Sequence, residues 1–217
     1  MKKILTTAIL CAGLVGFTAC DSFLDEEPKS SLTLDTYYKT SADIIGNVNY
    51  LYRDGAPDKM GNMTGAYRGS SLSVMNMVTG YFVNEYEGQE VDCSYARQLT
   101  RQDFTQSCCN YLTNDTWKGC YKSINVANAV IKYVDGVEMD GQAQYKAEAR
   151  FFRALNYFYL VKMFGDVPMI TEPTEDATLV EYPARTAASE VYKTVIIPDL
   201  QFAVENLPDA TFAGNSH

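Results

Sequence analysis

The sequence predicts a mainly all-α chain in which helices are joined by long irregular loops. Three observations predict it. From Ser41 onward apolar residues recur at the 3.6-residue helical period, strict alternation is scarce, and glycine or proline stands where such helices would have to stop. Apolar residues make up 47% of the 217 positions and charged residues 21%, which is enough to bury a core and excludes disorder of the whole chain.

The first segment in chain order reads as an address. Lys2 and Lys3 precede Ile4 to Phe17, an uncharged apolar stretch of 14 residues. That is short for a membrane span, which needs about 20, and has the form of a secretory signal. Phe17-Thr18-Ala19-Cys20 follows, and small residues ahead of a cysteine resemble a bacterial lipobox with Cys20 as the acylated residue. Phe17 and Thr18 depart from the commonest pattern, so an ordinary signal peptide ending near a cysteine is the competing reading. Residues 1–19 are thus expected to be a lipoprotein signal peptide and 20–40 a polar, proline-containing tether, with a helical body over 41–217. Removing 1–19 takes the net charge from −9 to −11. A chain this acidic is repelled by anionic lipid, so acyl chains on Cys20 would have to hold it to the membrane.

The first helix of the body is predicted from Ser41, as N-cap, towards Arg53, with Ile44, Val48 and Leu51 on one face. A second, carrying Leu72, Met75 and Val78, is predicted from Tyr67 to about Tyr81. The third carries Trp117, Cys120, Tyr121, Ile124, Ala127 and Ile131 and stops at Gly136. The fourth runs from about Gln142 to Phe164, ended by Gly165 and Pro168. On a helical projection Ala147, Phe151, Phe152, Ala154, Leu155, Phe158, Tyr159 and Val161 fill one half, while Lys146, Arg150, Arg153 and Tyr157 share the opposite arc. Glu148 and Lys162 fall in the apolar half near its ends, where they are expected to reach water or neighbouring side chains. Pro173 and Pro183 bracket a loop, and a fifth helix is predicted from near Thr186 through Val191, Tyr192, Val195, Ile196, Leu200, Ala203 and Leu207, kinked or split at Pro198. Trp117 and Phe151 lie 34 residues apart, the period of tetratricopeptide helix pairs.

Several function classes are excluded or weakened at once. With 18 Lys+Arg against 27 Asp+Glu there is no basic footprint for nucleic acid. The single histidine is His217, which removes Ser-His-Asp and Cys-His catalysis and any zinc site needing two imidazoles. No metal or other cofactor is expected. Cys93, Cys108, Cys109 and Cys120 remain after Cys11 and Cys20 are assigned, and an exported chain permits disulfides among them. Three pairings are possible, no pairing is equally compatible with this apolar content, and the sequence does not choose.

Phe82 to Gln106 differs in kind, with tyrosines and charges and no sustained period. Polar loops carrying aromatics are where a rigid helical scaffold presents a binding surface. Tyr81, Tyr86, Tyr95 and Arg97 are therefore the candidate ligand-binding residues, and a plain surface loop is the bland alternative.

Three separated stretches, in order, resemble the SusD/RagB family. Glu148-Ala149-Arg150-Phe151-Phe152-Arg153-Ala154-Leu155-Asn156-Tyr157-Phe158-Tyr159-Leu160-Val161, followed by Phe164-Gly165-Asp166-Val167-Pro168, is the strongest. Trp117, Tyr121, Ile124, Asn125, Asn128 and Ile131 are similar to the preceding helix of the family, and Glu190-Val191-Tyr192, Ile196, Asp199-Leu200, Ala203 and Leu207-Pro208 to the following one. Cys20, Phe23-Leu24-Asp25 and Pro28 resemble its lipidated start. The resemblance implies tetratricopeptide-like helix pairs and lipid anchoring at the outer membrane, facing outwards. It further implies capture of glycans, or sometimes peptides, for a SusC-like TonB-dependent barrel, by binding without cleavage. Sugar rings stack on flat aromatic faces, and 16 tyrosines among 27 aromatic residues are compatible with that. Family members are usually more than twice this length, so the chain is expected to represent their N-terminal part. Its shared motifs are scaffold motifs, and Arg150 and Arg153 are expected to pack helices or form salt bridges rather than touch ligand.

Two other functions compete. A secreted glycoside hydrolase needs two carboxylates about 5–10 Å apart across a cleft. Glu85, Glu87, Glu90 and Asp92 cluster in the variable loop, but a charge cluster is usually a solvated face and no pair is singled out. An adhesin-like or other protein-interaction lipoprotein is the second, since stacked helix pairs make partner-binding surfaces.

Overall fold

Helices and tight turns account for nearly all of residues 33–55, 79–81, 101–102, 116–174 and 183–209, the parts of the chain that this computed structural model describes. In chain order they are α1 (Leu34–Tyr37), α2 (Ser41–Asp54), α3 (Lys118–Tyr133), α4 (Gln142–Phe164), α5 (Ala188–Val191) and α6 (Ile197–Asn206). A 3-10 turn, Val134–Gly136, follows α3, and a π-helical turn, Tyr192–Ile196, joins α5 to α6.

α2 buries Ile44, Val48 and Leu51, the face its spacing predicts. Its N-cap is Thr40, one residue before the expected Ser41. The reason lies three residues on. Asp43 stands where its carboxylate can accept from the Thr40 backbone N–H at 2.8 Å and from the Thr40 hydroxyl at 2.7 Å, whereas Ile44, three residues after Ser41, offers nothing. These bonds, the hydroxyl first, hold the Asp43 carboxyl below its usual range. Of the second predicted helix only Thr79–Tyr81 is described, and it is a turn; Gly80, at φ +79°, has left the helical region.

α3 and α4 form an antiparallel pair. Ring contacts join Trp117 to Phe164 and Tyr121 to Tyr157, and Asn128 meets Arg153, so early residues of one helix face late residues of the other. Gln142 ties the connection down by donating to Val134 O at 3.2 Å and to Val137 O. Trp117 thus opens the first helix of the pair while Phe151 lies in the middle of the second, so their 34-residue spacing does not relate equivalent positions. The helix pair itself is the tetratricopeptide-like feature.

α4 has the predicted bounds, but its faces differ from the projection. Arg153 and Tyr157, on the expected polar arc, are buried, while Phe151 and Phe158 of the expected apolar half are each 37% exposed. The cause is position. α4 is the central helix, contacted by α2, α3 and α6, so no broad solvent face remains and buried polar side chains are met by partners across the helix interfaces. Glu148, expected to reach water or neighbouring side chains, is buried and does the second; it accepts from Gln144 at 2.9 Å and from the Tyr52 hydroxyl. Lys162 does stay exposed, lying over the Phe158 ring. Gly165 ends α4 at φ +68° and ψ −124°, a conformation that only glycine adopts without strain.

Two apolar clusters run along the α3–α4 pair. One joins Ile44, Val48 and Leu51 of α2 to Ala127, Val130, Val134, Ala149 and Phe152. The other joins Cys120 and Ile124 to Tyr157, Leu160, Val161, Val167, Val191, Val195 and Ile196. Cys120 is a free, buried thiol, so it joins none of the three disulfide pairings; Cys93, Cys108 and Cys109 lie outside the described residues. Burial pushes that thiol to about 12, which makes it inert.

The last helix begins at Ala188 rather than Thr186. Thr186 instead forms an antiparallel bridge with Val167, with N–H···O distances of 2.9 and 3.1 Å, and the Asp166 carboxylate accepts from the Ala188 N–H at 2.9 Å. Pro198 does not split the helix. It lacks the N–H that would bond back to Thr194; the π-turn widens the helix immediately before it, and Ile197 keeps helical dihedrals of −67° and −49°. Leu200, placed by its spacing on the buried face, is 39% exposed, and Asp199 occupies the interior instead.

Candidate functional site

Four side chains from two of the three sequence motifs converge on one backbone segment, Pro168–Thr174, laid along the α3–α4 pair. The Tyr121 hydroxyl donates to Pro168 O at 2.7 Å. Tyr157 does more, since its hydroxyl donates to Ile170 O at 2.9 Å and accepts from Ile170 N–H at 2.6 Å. Asn128 donates to Ile170 O at 3.0 Å and Glu172 O at 3.2 Å, and the Asn125 side-chain oxygen accepts from Thr174 N–H at 2.7 Å. A chain segment without secondary structure cannot bond its own backbone groups, so four helix side chains do it.

Arg153 sits behind this latch. Its Nε and one terminal nitrogen meet the two Asp199 oxygens at 2.7 and 2.9 Å, and its other terminal nitrogen donates to Asn128 Oδ1 at 2.9 Å. Arg150 approaches the same carboxylate at 3.8 Å and lies 4.2 Å over the Phe202 ring. One guanidinium therefore joins α3, α4 and α6, and both arginines are the packing and ion-pair residues expected of scaffold positions. Asn156 adds a fourth tie, donating to Gly55 O at 2.9 Å and so fixing the end of α2 on α4.

Burial, the dominant cause, pushes the Tyr157 phenol to about 12 and raises Tyr121 further, so both are neutral donors at physiological pH. Burial and the neighbouring Glu148 carboxylate likewise push Tyr52 to about 12. Among the described residues no group of three His, Cys, Asp or Glu is placed to hold a metal, and no helix is long and apolar enough to cross a membrane.

Of the candidate ligand residues, Tyr81 is placed. It follows Gly80 in the turn whose Thr79 hydroxyl accepts from the Tyr81 N–H at 3.3 Å, and it is 90% exposed, so its ring faces are open to a flat partner. Tyr86, Tyr95, Arg97 and the lipidation residue Cys20 lie outside the described residues, as does the carboxylate cluster Glu85, Glu87, Glu90 and Asp92. What the sequence reading missed is the Asn128–Arg153–Asp199 network. A signal existed, because Asn128 lies between Ala127 and Ala129 on the buried stretch of α3, where an unpartnered amide would be costly.

Comparison with known proteins gives this architecture its context. Residues 22–215 match the profile of a SusD-like family described as starch-binding and associating with the outer membrane. SusD-like protein P2 of Formosa agariphila is 30% identical over 216 residues, which is 98% of this chain and 40% of that protein. A SusD-like protein of Bacteroides ovatus is 28% identical over 221 residues, again 98% of this chain but 36% of the relative. The chain thus spans well under half the length of these relatives. Among solved structures, a SusD superfamily protein from Parabacteroides distasonis aligns at a TM-score of 0.59 and 26% identity, over 75% of this chain and 33% of that one. A laminarin-binding SusD-like protein aligns at a TM-score of 0.67 and 26% identity, over 81% and 36%. With the profile covering nearly the whole sequence and the helix pair sharing its fold with solved members, the chain belongs to the SusD/RagB family.

Proposed function

We propose that this chain is the N-terminal helical part of a surface lipoprotein that captures glycans, and hands them to a SusC-like TonB-dependent barrel in the outer membrane. The observation that carries the reading is the match over residues 22–215 to a starch-binding, outer-membrane-associated family, together with the likeness to a laminarin-binding structure. The described part supplies a rigid scaffold of buried ion pairs and latched backbone. Tyr81, exposed in its turn, offers a stacking face of the kind sugar rings use, and Tyr86, Tyr95 and Arg97 follow it in sequence. Residues 1–19 act as the export signal, Cys20 carries the lipid, and 20–40 lead as a tether into the helical part, 41–217, with the short helix α1 and the buried Tyr38 at the end of that tether already packed on the fold. The protein binds and does not cleave.

Native electrophoresis through gels containing starch or laminarin tests capture. Retardation of the purified protein without release of reducing ends supports the reading, and unchanged mobility in both gels, beside a retarded SusD-like control, counts against it. Cell fractionation tests the anchor. The wild-type protein should sediment with outer membranes and Cys20→Ala should not, whereas equal sedimentation of both would remove Cys20 from its role.

A further inference from the structure

The latched segment has a second edge. Pro168, Ile170, Glu172 and Thr174 are the residues whose backbone groups bond to side chains of α3 and α4, and the residues between them make no such bond. Alternation of this kind belongs to an extended strand, in which the N–H and C=O of one residue point to one edge and those of the next residue to the other. The edge turned away from the helices therefore carries the backbone groups of Val167, Met169 and Thr171. Val167 uses its pair, exchanging both bonds with Thr186 at 2.9 and 3.1 Å in the antiparallel bridge. The next exchange along such a ladder would join Met169 to Ala184. It is not made: among the described residues the N–H and C=O of Met169, Thr171 and Ala184 have no hydrogen-bond partner. Pro173, which has no N–H to offer, closes the edge.

We infer that Met169 and Thr171 form an open strand edge that takes an extended segment of a partner protein, running antiparallel and continuing the ladder that Val167 and Thr186 begin. The edge presents two N–H and two C=O groups at a two-residue repeat of about 6.8 Å, which another extended backbone matches bond for bond. Its inner side is fastened by four helix side chains, and the Met169 side chain packs against the second apolar cluster, so the strand is ordered before a partner arrives. Thr171 and Glu172 are exposed, which leaves the edge within reach. The Glu172 carboxylate, on a chain of net charge −9, favours a segment with lysine or arginine on its flank. Closure at Pro173 keeps the edge too short for open-ended pairing of like chains. The inference concerns a protein partner and stands whatever glycan the protein takes.

Amide chemical shifts of the purified lipid-free protein test it, with a blocked valine–threonine–valine peptide flanked by lysines as the probe. The Met169 and Thr171 amides should move with peptide concentration while Ile170, bonded inwards to Tyr157, stays in place. An analogue methylated on its three central nitrogens cannot donate and should bind at least tenfold more weakly. Thr171→Pro removes one outward N–H and none of the inward bonds, and should weaken binding at least tenfold, whereas Thr171→Val, which keeps the backbone, should not. Unmoved Met169 and Thr171 amides overturn the inference, and so does equal binding of the methylated analogue, an arm that needs no variant to fold. Movement of the same amides with protein concentration alone assigns the edge to a second copy, and equal movement with maltohexaose assigns it to glycan; either overturns it.

Discussion

Replacing Asp199 by alanine is the most informative perturbation of the scaffold. Its carboxylate is 2% exposed and takes two bonds, at 2.7 and 2.9 Å, from an Arg153 that is itself 8% exposed. Arginine cannot relieve the loss by giving up its proton, so Asp199→Ala leaves a buried, uncompensated guanidinium. Breaking a buried pair in this way costs about 3–5 kcal/mol, against about 0–1 kcal/mol for an exposed one. For a domain of this size each kcal/mol lowers Tm by roughly 2–4 °C, so a fall of about 10 °C is expected. Urea unfolding followed by far-ultraviolet circular dichroism and by the fluorescence of Trp117, the single tryptophan, should show a lower midpoint at unchanged slope. Arg153→Met combined with Asp199→Leu removes both charges and should recover most of the loss, short of about 1 kcal/mol for the bond that Asn128 no longer receives. A cost below about 1 kcal/mol for Asp199→Ala would mean that the pair behaves as a surface pair, and would refute the argument that it fastens α6.

The other expectations concern the latch and the ends of α4. Gly165→Ala forces a Cβ into a backbone conformation at φ +68° and should cost about 1–3 kcal/mol in the same unfolding assay; a change within experimental error would show that the turn relaxes freely. Tyr157→Phe leaves the Ile170 N–H without its partner and Ile170 O with Asn128 alone, and should cost about 1–3 kcal/mol, with amide exchange at Ile170 accelerated; unchanged exchange would mean that water replaces the hydroxyl without loss. In alkali the signs agree. Tyr157 is raised from 10.0 to about 12 and Cys120 from 9.0 to about 12, so the folded state holds these protons more tightly than the unfolded chain. Their contribution to stability is full below pH 9 and is lost as pH rises towards 12. Melting temperature should therefore fall over that interval in the wild type and less steeply in Tyr157→Phe, and parallel curves would contradict the assignment.

The helices were legible where a single face is buried. The α2 positions Ile44, Val48 and Leu51 and the bounds of α4 follow from period and glycine punctuation alone. The faces of α4 were not legible, because a projection assumes one dry side and one wet side. A helix packed on several neighbours buries Arg153, Asn156 and Tyr157 as readily as leucine, provided that each finds a partner, and the partners outside the helix stand 13 to 101 residues away in sequence. Leu200 lost its expected place for the same reason, since the buried arginine draws the Asp199 carboxylate inward and turns the leucine out. The motifs that identified the family proved to be the residues that hold its backbone together. Ligand residues follow no such constraint, so only loop position and ring chemistry pointed to Tyr81.

Calorimetric titration of laminarin oligosaccharides and of maltooligosaccharides into the purified lipid-free protein tests the account most directly. Capture by a SusD-like surface predicts saturable binding to at least one of them, recovery of that glycan at its original length, and affinity reduced at least severalfold by Tyr81→Ala. Flat titrations with both, or shortening of the glycan during the experiment, would contradict it.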